Sequence, residues 1–214
     1  IAPEGAVFTI INNGGSITAR ESTDGGQSWT HGLAIDTTQA PNAVNIRFLG
    51  SSSIYGDIDI SADDTITIAG GTTYLDGLIN PGGEREGSLT IASGGALSLM
   101  DPRIANPSYD GPAGGYLNTF TVASGGTLVL DMPLSSGGSA IVNSGIRALA
   151  APIPIQVIAA NTVTLSGALQ LNLSTPNGLF GDFYSFDNII DANTLIGPFS
   201  SVVTSTGTPL LVPV

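Results

Sequence analysis

The sequence predicts an all-β protein, built as a right-handed parallel β-helix with a C-terminal cap and little or no helix. Two observations lead to this fold. A unit of alternating apolar residues interrupted by a Gly-rich corner recurs along the chain. Charged residues make up only 10% of the chain, against about 25% in ordinary globular proteins, whose helical surfaces are rich in Lys, Glu and Arg.

The recurring unit is clearest over Leu89–Leu99 and returns nearly unchanged over Phe120–Leu130. Alternation with a period of two places Leu89 and Ile91 on one face of a strand and Thr90 on the other. The Ser-Gly-Gly corner then permits a positive φ and a sharp change of direction. Each unit is therefore predicted to be two strands joined by a bend.

Further copies of the unit set the spacing of the predicted coils. They lie at Ile11–Ile17, Ile46–Ile54, Ile66–Leu75 and Val157–Leu165. The shorter spacings suit one solenoid coil of about two dozen residues, and the longer ones suit a coil with an inserted loop. We expect these loops at about 101–115 and 132–154. A sandwich of antiparallel hairpins is the alternative architecture.

Ten apolar side chains are predicted to point inward and stack in ladders. They are Ile66, Ile68, Leu89, Ile91, Leu97, Leu99, Phe120, Val122, Leu128 and Leu130. The segment Ile141–Ala151 is the best helix candidate, but Gly145 and Pro152 weaken it.

The composition changes after Met132, where the Ser-Gly-Gly corners stop. A longer alternating stretch follows at Val163–Leu173, and then four aromatic residues, Phe180, Phe183, Tyr184 and Phe186. An aromatic segment is expected to cap the open end of a solenoid, which otherwise leaves strand edges unpaired. We therefore divide the chain into coils with loop insertions at 1–154 and a C-terminal part with the cap at 155–214.

Charge and cysteine content exclude several classes of function. The net charge is −12 with five Lys and Arg residues, so nucleic acid and anionic membranes are not expected partners. The absence of cysteine excludes disulfides, zinc–thiolate sites and thiol catalysis. No apolar run reaches the length of a membrane helix, and Ile1–Phe8 lacks the basic region of a signal peptide.

Three stretches together resemble the end of the passenger domain of bacterial autotransporters (type V secretion). They are the Ala-Ser-Gly-Gly corners at Ala92–Gly95 and Ala123–Gly126, the stretch Val163–Leu173, and the segment Gly181–Val202. The resemblance covers most of the chain loosely and residues 155–214 more closely. The chain ends at Val214 without the linker helix and barrel of that family, as expected of a fragment or a processed passenger.

The resemblance implies a β-helix exported through the outer membrane and displayed at the cell surface or secreted. The implied role is that of an adhesin or stalk, with an autochaperone-like end that assists folding and translocation. The implied partners are a host-surface protein or glycan, neighbouring passengers, and the chain's own C-terminal β-barrel. A self-associating module that pairs along polar faces is an alternative function.

His31 is the only histidine and the only base for a Ser-His-Asp triad. Ser28 and Asp36 are the nearby partners in sequence, but no Gly-x-Ser-x-Gly elbow surrounds any serine. We therefore expect no catalytic residue here, and His31 is placed on a loop.

An acidic cluster comprises Asp57, Asp59, Asp63 and Asp64. Asp57 and Asp59 share one strand face, and Arg47 lies one coil earlier. A polysaccharide lyase or glycoside hydrolase would use such carboxylates as acid and base or with Ca²⁺. A solvated outer face is the simpler interpretation, and no cofactor or metal is expected.

Aromatic residues in polar surroundings could stack on sugars. These are Trp29, Tyr55, Tyr74, Tyr109 and Tyr116, and Trp29 is the best candidate because it lies in the polar loop 23–32. Trp29, Tyr55, Asp57 and Asp59 are therefore the candidate ligand contacts. Glu84-Arg85-Glu86 is expected to form an exposed turn with a local ion pair of little energetic value.

Overall fold

The computed structural model describes residues 8–28, 30–100, 114–133, 142–143, 146–147, 153–154, 158–174, 186–187 and 190–204. Every regular element in these ranges is a β-strand. In chain order they are β1 Phe8–Asn12, β2 Gly15–Thr18, β3 Arg20–Glu21, β4 Thr30–His31, β5 Leu33–Asp36, β6 Val44–Phe48, β7 Ser52–Tyr55, β8 Asp57–Asp59, β9 Thr65–Ile68, β10 Gly71–Asp76, β11 Ser88–Ile91, β12 Gly95–Met100, β13 Tyr116–Val122, β14 Thr127–Pro133, β15 Val142–Asn143, β16 Ile146–Arg147, β17 Ile153–Pro154, β18 Ile158–Leu165, β19 Ala168–Ser174, β20 Phe186–Asp187, β21 Ile190–Ile196 and β22 Ser201–Thr204.

Two long parallel sheets form the body of the molecule. Sheet 1 has the order β1-β6-β9-β11-β13-β18-β21, and sheet 2 has the order β2-β7-β10-β12-β14-β19-β22. Each coil contributes one strand to each sheet before the chain rises to the next coil. The fold is therefore the predicted all-β parallel β-helix. Its expected right hand follows from the strong bias of parallel crossovers.

The inner face of sheet 1 is a continuous apolar ladder. Ile46 pairs with Ile66, Ile66 with Leu89, Leu89 with Phe120, and Phe120 with Val163. All five are buried, and the ten side chains predicted to point inward are buried too. Each buried side chain of this size stabilises the fold by about 1.5–3 kcal/mol.

A short third side closes the coil between the two long sheets. Strands β5 and β8 pair in parallel, and single bridges continue the stack from Ile58 to Ile79 and from Ile79 to Gly115. Ile35, Ile58 and Ile79 are buried and complete the core on this side.

The Ser-Gly-Gly corners use their two glycines for different reasons. The first, Gly94 or Gly125, has a φ of 81° or 79°, which L-residues rarely adopt. The second lies against the coil beneath. A Cβ on Gly95 would come within 2.3 Å of the Ile68 carbonyl oxygen, and one on Gly126 within 2.5 Å of the Ile91 carbonyl oxygen. The corner therefore needs both a special backbone conformation and a close approach.

The corner predicted within the repeat Val157–Leu165 is wrong. Strand β18 runs without a bend through the Ala-Ala-Asn-Thr segment, which the repeat pattern predicts to be a corner. The bend lies at Ser166-Gly167, where both backbone N–H groups donate to the Val122 carbonyl oxygen at 2.9 and 3.0 Å. A Cβ on Gly167 would lie 2.4 Å from the Gly126 carbonyl oxygen. This corner therefore has the glycine that lies close to the neighbouring coil, but not the glycine with a positive φ.

The predicted loops differ from the structure at their ends. Gly115 belongs to the third side, and Met132 and Pro133 belong to β14. Within 134–157, the described residues form strands β15, β16 and β17. Strands β15 and β16 are an antiparallel pair, and they lie in the segment that is the best helix candidate in the sequence. Residues 101–113 lie outside the described ranges.

The predicted cap lies outside the described residues, apart from Phe186 in β20. That strand pairs with β17, and β21 and β22 follow it, so the aromatic segment precedes a further coil. Sheet 1 continues from β13 to β18 across the proposed boundary at 154/155. The division into two parts remains a prediction.

Candidate functional site

The outer face of sheet 1 is an array of hydroxyl side chains, which we call the threonine face. It comprises Thr65, Thr67, Ser88, Thr90, Thr119, Thr121, Thr162 and Thr164, two from each of β9, β11, β13 and β18. All eight are partly exposed. The register is unbroken, since Thr67 pairs with Thr90, Thr90 with Thr121, and Thr121 with Thr164.

The local sequence explains why this face forms. Each strand alternates hydroxyl and large apolar residues, as in Thr65-Ile66-Thr67 and Thr119-Phe120-Thr121. The apolar residue points to the core, and the β-branched threonines suit the pleated outer surface. The pattern repeats in register, so the hydroxyls form two parallel columns.

Most hydroxyls of the threonine face have no hydrogen-bond partner within the described residues. The exceptions are Thr65, whose Oγ1 donates to Asn45 Oδ1 at 2.5 Å, and Ser88, whose Oγ lies 3.5 Å from the Asp64 carbonyl oxygen. The other six are open to an external partner.

An asparagine ladder borders the threonine face. Asn161 Nδ2 donates to Asn118 Oδ1, and Asn193 Nδ2 donates to Asn161 Oδ1, both at 3.1 Å. In β13 the alternation breaks at this point, because Asn118 and Thr119 both lie on the outside. The ladder marks the corner where the strands pass from the third side into sheet 1.

Sheet 2 presents a less open outer face. Ser98 and Val129 occupy its outer positions in register, yet they are only 1% and 7% exposed. Tyr74, two coils before Val129 in the same column, is half-exposed. Among the two long sheets, the threonine face is therefore the more regular surface.

The candidate carboxylates Asp57 and Asp59 lie on the third side, on the outer face of β8. Asp57 Oδ1 accepts a hydrogen bond from the Leu78 N–H at 2.8 Å. Partial burial raises the pKa of Asp59, and the carboxylates of Asp36, Glu84, Glu86 and Asp57 raise it further.

Arg47 does not join these carboxylates. It lies on the outer face of sheet 1, in register with Ile11 and Thr67, whereas Asp57 and Asp59 lie on the third side. Among the described residues, no group of three or more His, Asp or Glu side chains is arranged to hold a metal ion.

Asp64 has a structural role instead of forming part of a solvated cluster. It is 2% exposed and accepts hydrogen bonds from Thr37 Oγ1 at 2.6 Å, Val44 N at 2.7 Å and Ser61 N at 2.9 Å. Its carboxylate thereby joins its own turn to both ends of the connection between β5 and β6 in the preceding coil. The prediction of a single solvated acidic face is wrong for this residue, while Asp63 is exposed.

His31 lies on strand β4 and not on a loop, so that prediction is wrong. Arg20 and His31 pair across the antiparallel β3–β4 hairpin. His31 Nε2 lies 3.2 Å from Asp76 Oδ1, and its ring meets the Tyr55 ring edge-to-face at 4.6 Å. The Arg20 guanidinium lies 4.6 Å from the centre of the Tyr55 ring. These contacts hold the hairpin against sheet 2.

The same contacts alter the interpretation of Tyr55 as a sugar-stacking residue. Its ring is already engaged by Arg20 and His31. Trp29, the other aromatic candidate, lies outside the described residues. The triad partners considered for His31 are engaged elsewhere, since Ser28 bonds to Asp24 and Asp36 accepts from Thr38.

The tip of this hairpin contains an ordered turn that the sequence interpretation missed. Asp24 accepts hydrogen bonds from the hydroxyls of Ser22 and Ser28 and from the backbone N–H groups of Gln27 and Ser28. These bonds, that of the Ser28 hydroxyl above all, hold the Asp24 pKa well below its usual range. The spacing Ser22-x-Asp24-x-Gly26-x-Ser28 is the signal that could have found it.

Arg85 also departs from its prediction. Its guanidinium donates to the Ala160 carbonyl oxygen at 3.1 Å and pairs with Asp191 at 2.5 Å, instead of pairing with the adjacent glutamates. One side chain thereby connects the turn before β11 with β18 and β21. Both side chains of this ion pair are partly exposed.

Protein-family models, curated proteins and solved structures offer no match to this chain. In the described part of the chain, no helix is long and apolar enough to span a membrane.

In chemical terms, the threonine face offers many weak, similar contacts in a regular array.

Proposed function

We propose that this chain is a passenger β-helix of an autotransporter, displayed on a bacterial surface or secreted, where it acts as an adhesin or stalk. The observation that supports this most is the stacking of seven strands in register in each of two parallel sheets. At about 4.8 Å per coil, such a stack forms a rod roughly 30 Å long.

The stacking also suits a protein that crosses a membrane unfolded and folds afterwards. Each coil contacts mainly its neighbours, so a solenoid can grow coil by coil from one folded end. The chain has no cysteine that could form a premature disulfide. Arg85 binds Ala160 and Asp191, so the part proposed to assist folding, 155–214, is joined directly to an earlier coil.

The proposed partners are a host-surface protein or glycan, neighbouring passengers, and the chain's own β-barrel in the full-length protein. The asparagine ladder is the surface that we propose for contacts with these external partners, because its side-chain amides are accessible and regularly spaced.

An immunoblot with antibody to this chain tests the proposal. Outer membranes and culture supernatant of the source cells would be compared, with and without protease added to intact cells. We expect a band well above the 21.5 kDa of this chain in the outer membrane, shortened by external protease. A cytosolic band of 21.5 kDa that protease cannot reach would contradict surface display.

The alternative is a polysaccharide-cleaving enzyme, which Arg47 facing Asp57 or Asp59 across a groove would favour. Arg47 instead lies on a different side of the coil from these two carboxylates. Loss of cleavage of an acidic glycan in Asp57→Asn would nevertheless establish it. The alternative of self-association is favoured by the uncharged threonine face on a chain of net charge −12. Sedimentation of the purified chain over a range of concentrations tests that alternative.

A further inference from the structure

We infer that the threonine face binds the ordered water lattice of ice. The observation behind this inference is a two-dimensional array of hydroxyl and methyl groups on four adjacent strands, two residues per strand. The inference goes beyond the proposed adhesin or stalk function and does not depend on it.

The spacing of the array is set by β-sheet geometry. Neighbouring strands lie about 4.7–4.9 Å apart, and residues two apart along a strand are separated by roughly 6.6 Å. Both distances are comparable with the repeat distances between water oxygens on the faces of hexagonal ice. A lattice of this kind can meet several hydroxyls of the array at once.

The support of the array is rigid. The four strands pair without a register shift, and the ladder Ile66, Leu89, Phe120 and Val163 lies buried directly beneath them. Threonine is restricted at χ1 because it is branched at Cβ. Little conformational entropy is therefore lost when the face meets an ordered surface.

The chemistry of the face suits water in a crystal better than a folded protein or a single glycan chain. None of its eight members is charged or aromatic, and six hydroxyls have no partner among the described residues. Protein interfaces gain most of their affinity from aromatic and arginine anchors. Sugar sites use concave pockets with converging polar groups. A regular array of weak contacts instead requires a periodic ligand that engages many of them together.

The test uses the purified chain and measures two properties: thermal hysteresis at an ice crystal, and inhibition of ice recrystallisation. The variant Thr121→Lys places a long charged side chain in the centre of the threonine face. Thr67→Lys repeats the change on another strand. The matched control is Thr127→Lys, a partly exposed threonine on the outer side of sheet 2. Circular dichroism establishes that each variant is folded.

We expect the unmodified chain and Thr127→Lys to show thermal hysteresis and to inhibit recrystallisation. Thr121→Lys and Thr67→Lys are expected to lose both activities while remaining folded. Absence of both activities in the unmodified chain would overturn the inference, as would equal losses in Thr127→Lys and Thr121→Lys. Sedimentation shows whether the face pairs two copies instead, and that outcome without ice activity also overturns it. None of these results bears on surface display, which the immunoblot tests separately.

Discussion

At the scale of single residues, the two glycines of each corner are required for different physical reasons. Gly94 has a φ of 81° and open space where a Cβ would lie, whereas a Cβ on Gly95 would meet the Ile68 carbonyl oxygen at 2.3 Å. Asparagine tolerates positive φ better than other non-glycine residues, but it still has a Cβ. The two positions should therefore respond differently to the same substitution.

We predict that Gly94→Asn is tolerated, with a loss in unfolding free energy below about 1 kcal/mol. Gly95→Asn should cost about 1–3 kcal/mol or more, because the coil beneath must move. Urea unfolding followed by circular dichroism measures both values. Equal losses at the two positions would show that the distinction is wrong.

The pKa of Asp59 is shifted by the surroundings of its carboxyl group. Its pKa is raised by partial burial and by four nearby carboxylates, with Asp36 directly paired to it across β5 and β8. A carboxyl group whose pKa is raised in the folded state favours folding below its unfolded pKa, near 3.8, and that contribution is lost as the pH rises through the folded pKa.

We therefore predict that Asp59→Asn is more stable than the unmodified chain at pH 7, by about 0.2–1 kcal/mol, the range for a close cross-strand charge pair. The difference should shrink as the pH falls towards 4, because Asp59 then becomes protonated in the unmodified chain. Urea unfolding at several pH values measures it. Asp63→Asn, at an exposed position, is the control. A benefit that grows at low pH would contradict the assigned cause.

Sequence reasoning at this scale succeeded for the ten inward side chains and failed for Asp64, Arg85 and His31. Alternation is a local property of the strand, so it determines which residues face the core. Two of the three partners of Asp64 and both partners of Arg85 come from other coils, and Asp191 is 106 residues from Arg85. A local pattern contains no information about such contacts.

At the scale of elements, Arg85 fastens the turn before β11 to β18 and β21. We predict that Arg85→Ala lowers the unfolding free energy more than Asp191→Ala, because it also removes the hydrogen bond to the Ala160 carbonyl. A double-mutant cycle should give a coupling energy of about 0.2–1 kcal/mol, since the pair is partly exposed. The coupling should weaken at high salt.

Glu84→Ala serves as the control, since it lies beside Arg85 in the exposed part of the same turn. A coupling between Arg85 and Glu84 as large as that between Arg85 and Asp191 would contradict the assigned pair. It would instead support the local ion pair predicted from the sequence.

The corner between β18 and β19 shows where a repeat pattern misleads. The Ala-Ala-Asn-Thr segment has the length of a corner, but it lacks the glycine that a positive φ requires, and the strand continues through it. Ser166-Gly167 is shorter, yet its glycine allows the close approach to Gly126. The tight contact between coils, and not the length of the segment, decides where the chain bends.

At the scale of the whole molecule, burial is concentrated in the middle coils. Phe120 is fully buried between Leu89 and Val163, whereas Ile10, at the inner position of β1, is 39% exposed. A solenoid is stabilised by contacts between neighbouring coils, so a residue with a coil on each side contributes most.

We predict that Phe120→Ala lowers the unfolding free energy by about 3–5 kcal/mol, because it leaves a cavity in the core. Ile10→Ala should cost less than about 2 kcal/mol, since part of its side chain is already in water. Urea unfolding measures both. Similar losses would show that the first coil is as well packed as the fifth.

The sequence by itself determined the alternation of the strands, the glycine corners and thus the class of fold, because these depend on residues close together in the chain. Tertiary structure decided which strand pairs with which and where the coils bend. It also decided how single threonines align into a face and which distant groups Asp64, His31 and Arg85 contact. These features depend on the register between coils, whose contacting residues are 20 or more positions apart in the sequence. That register is set by the packing of the whole core.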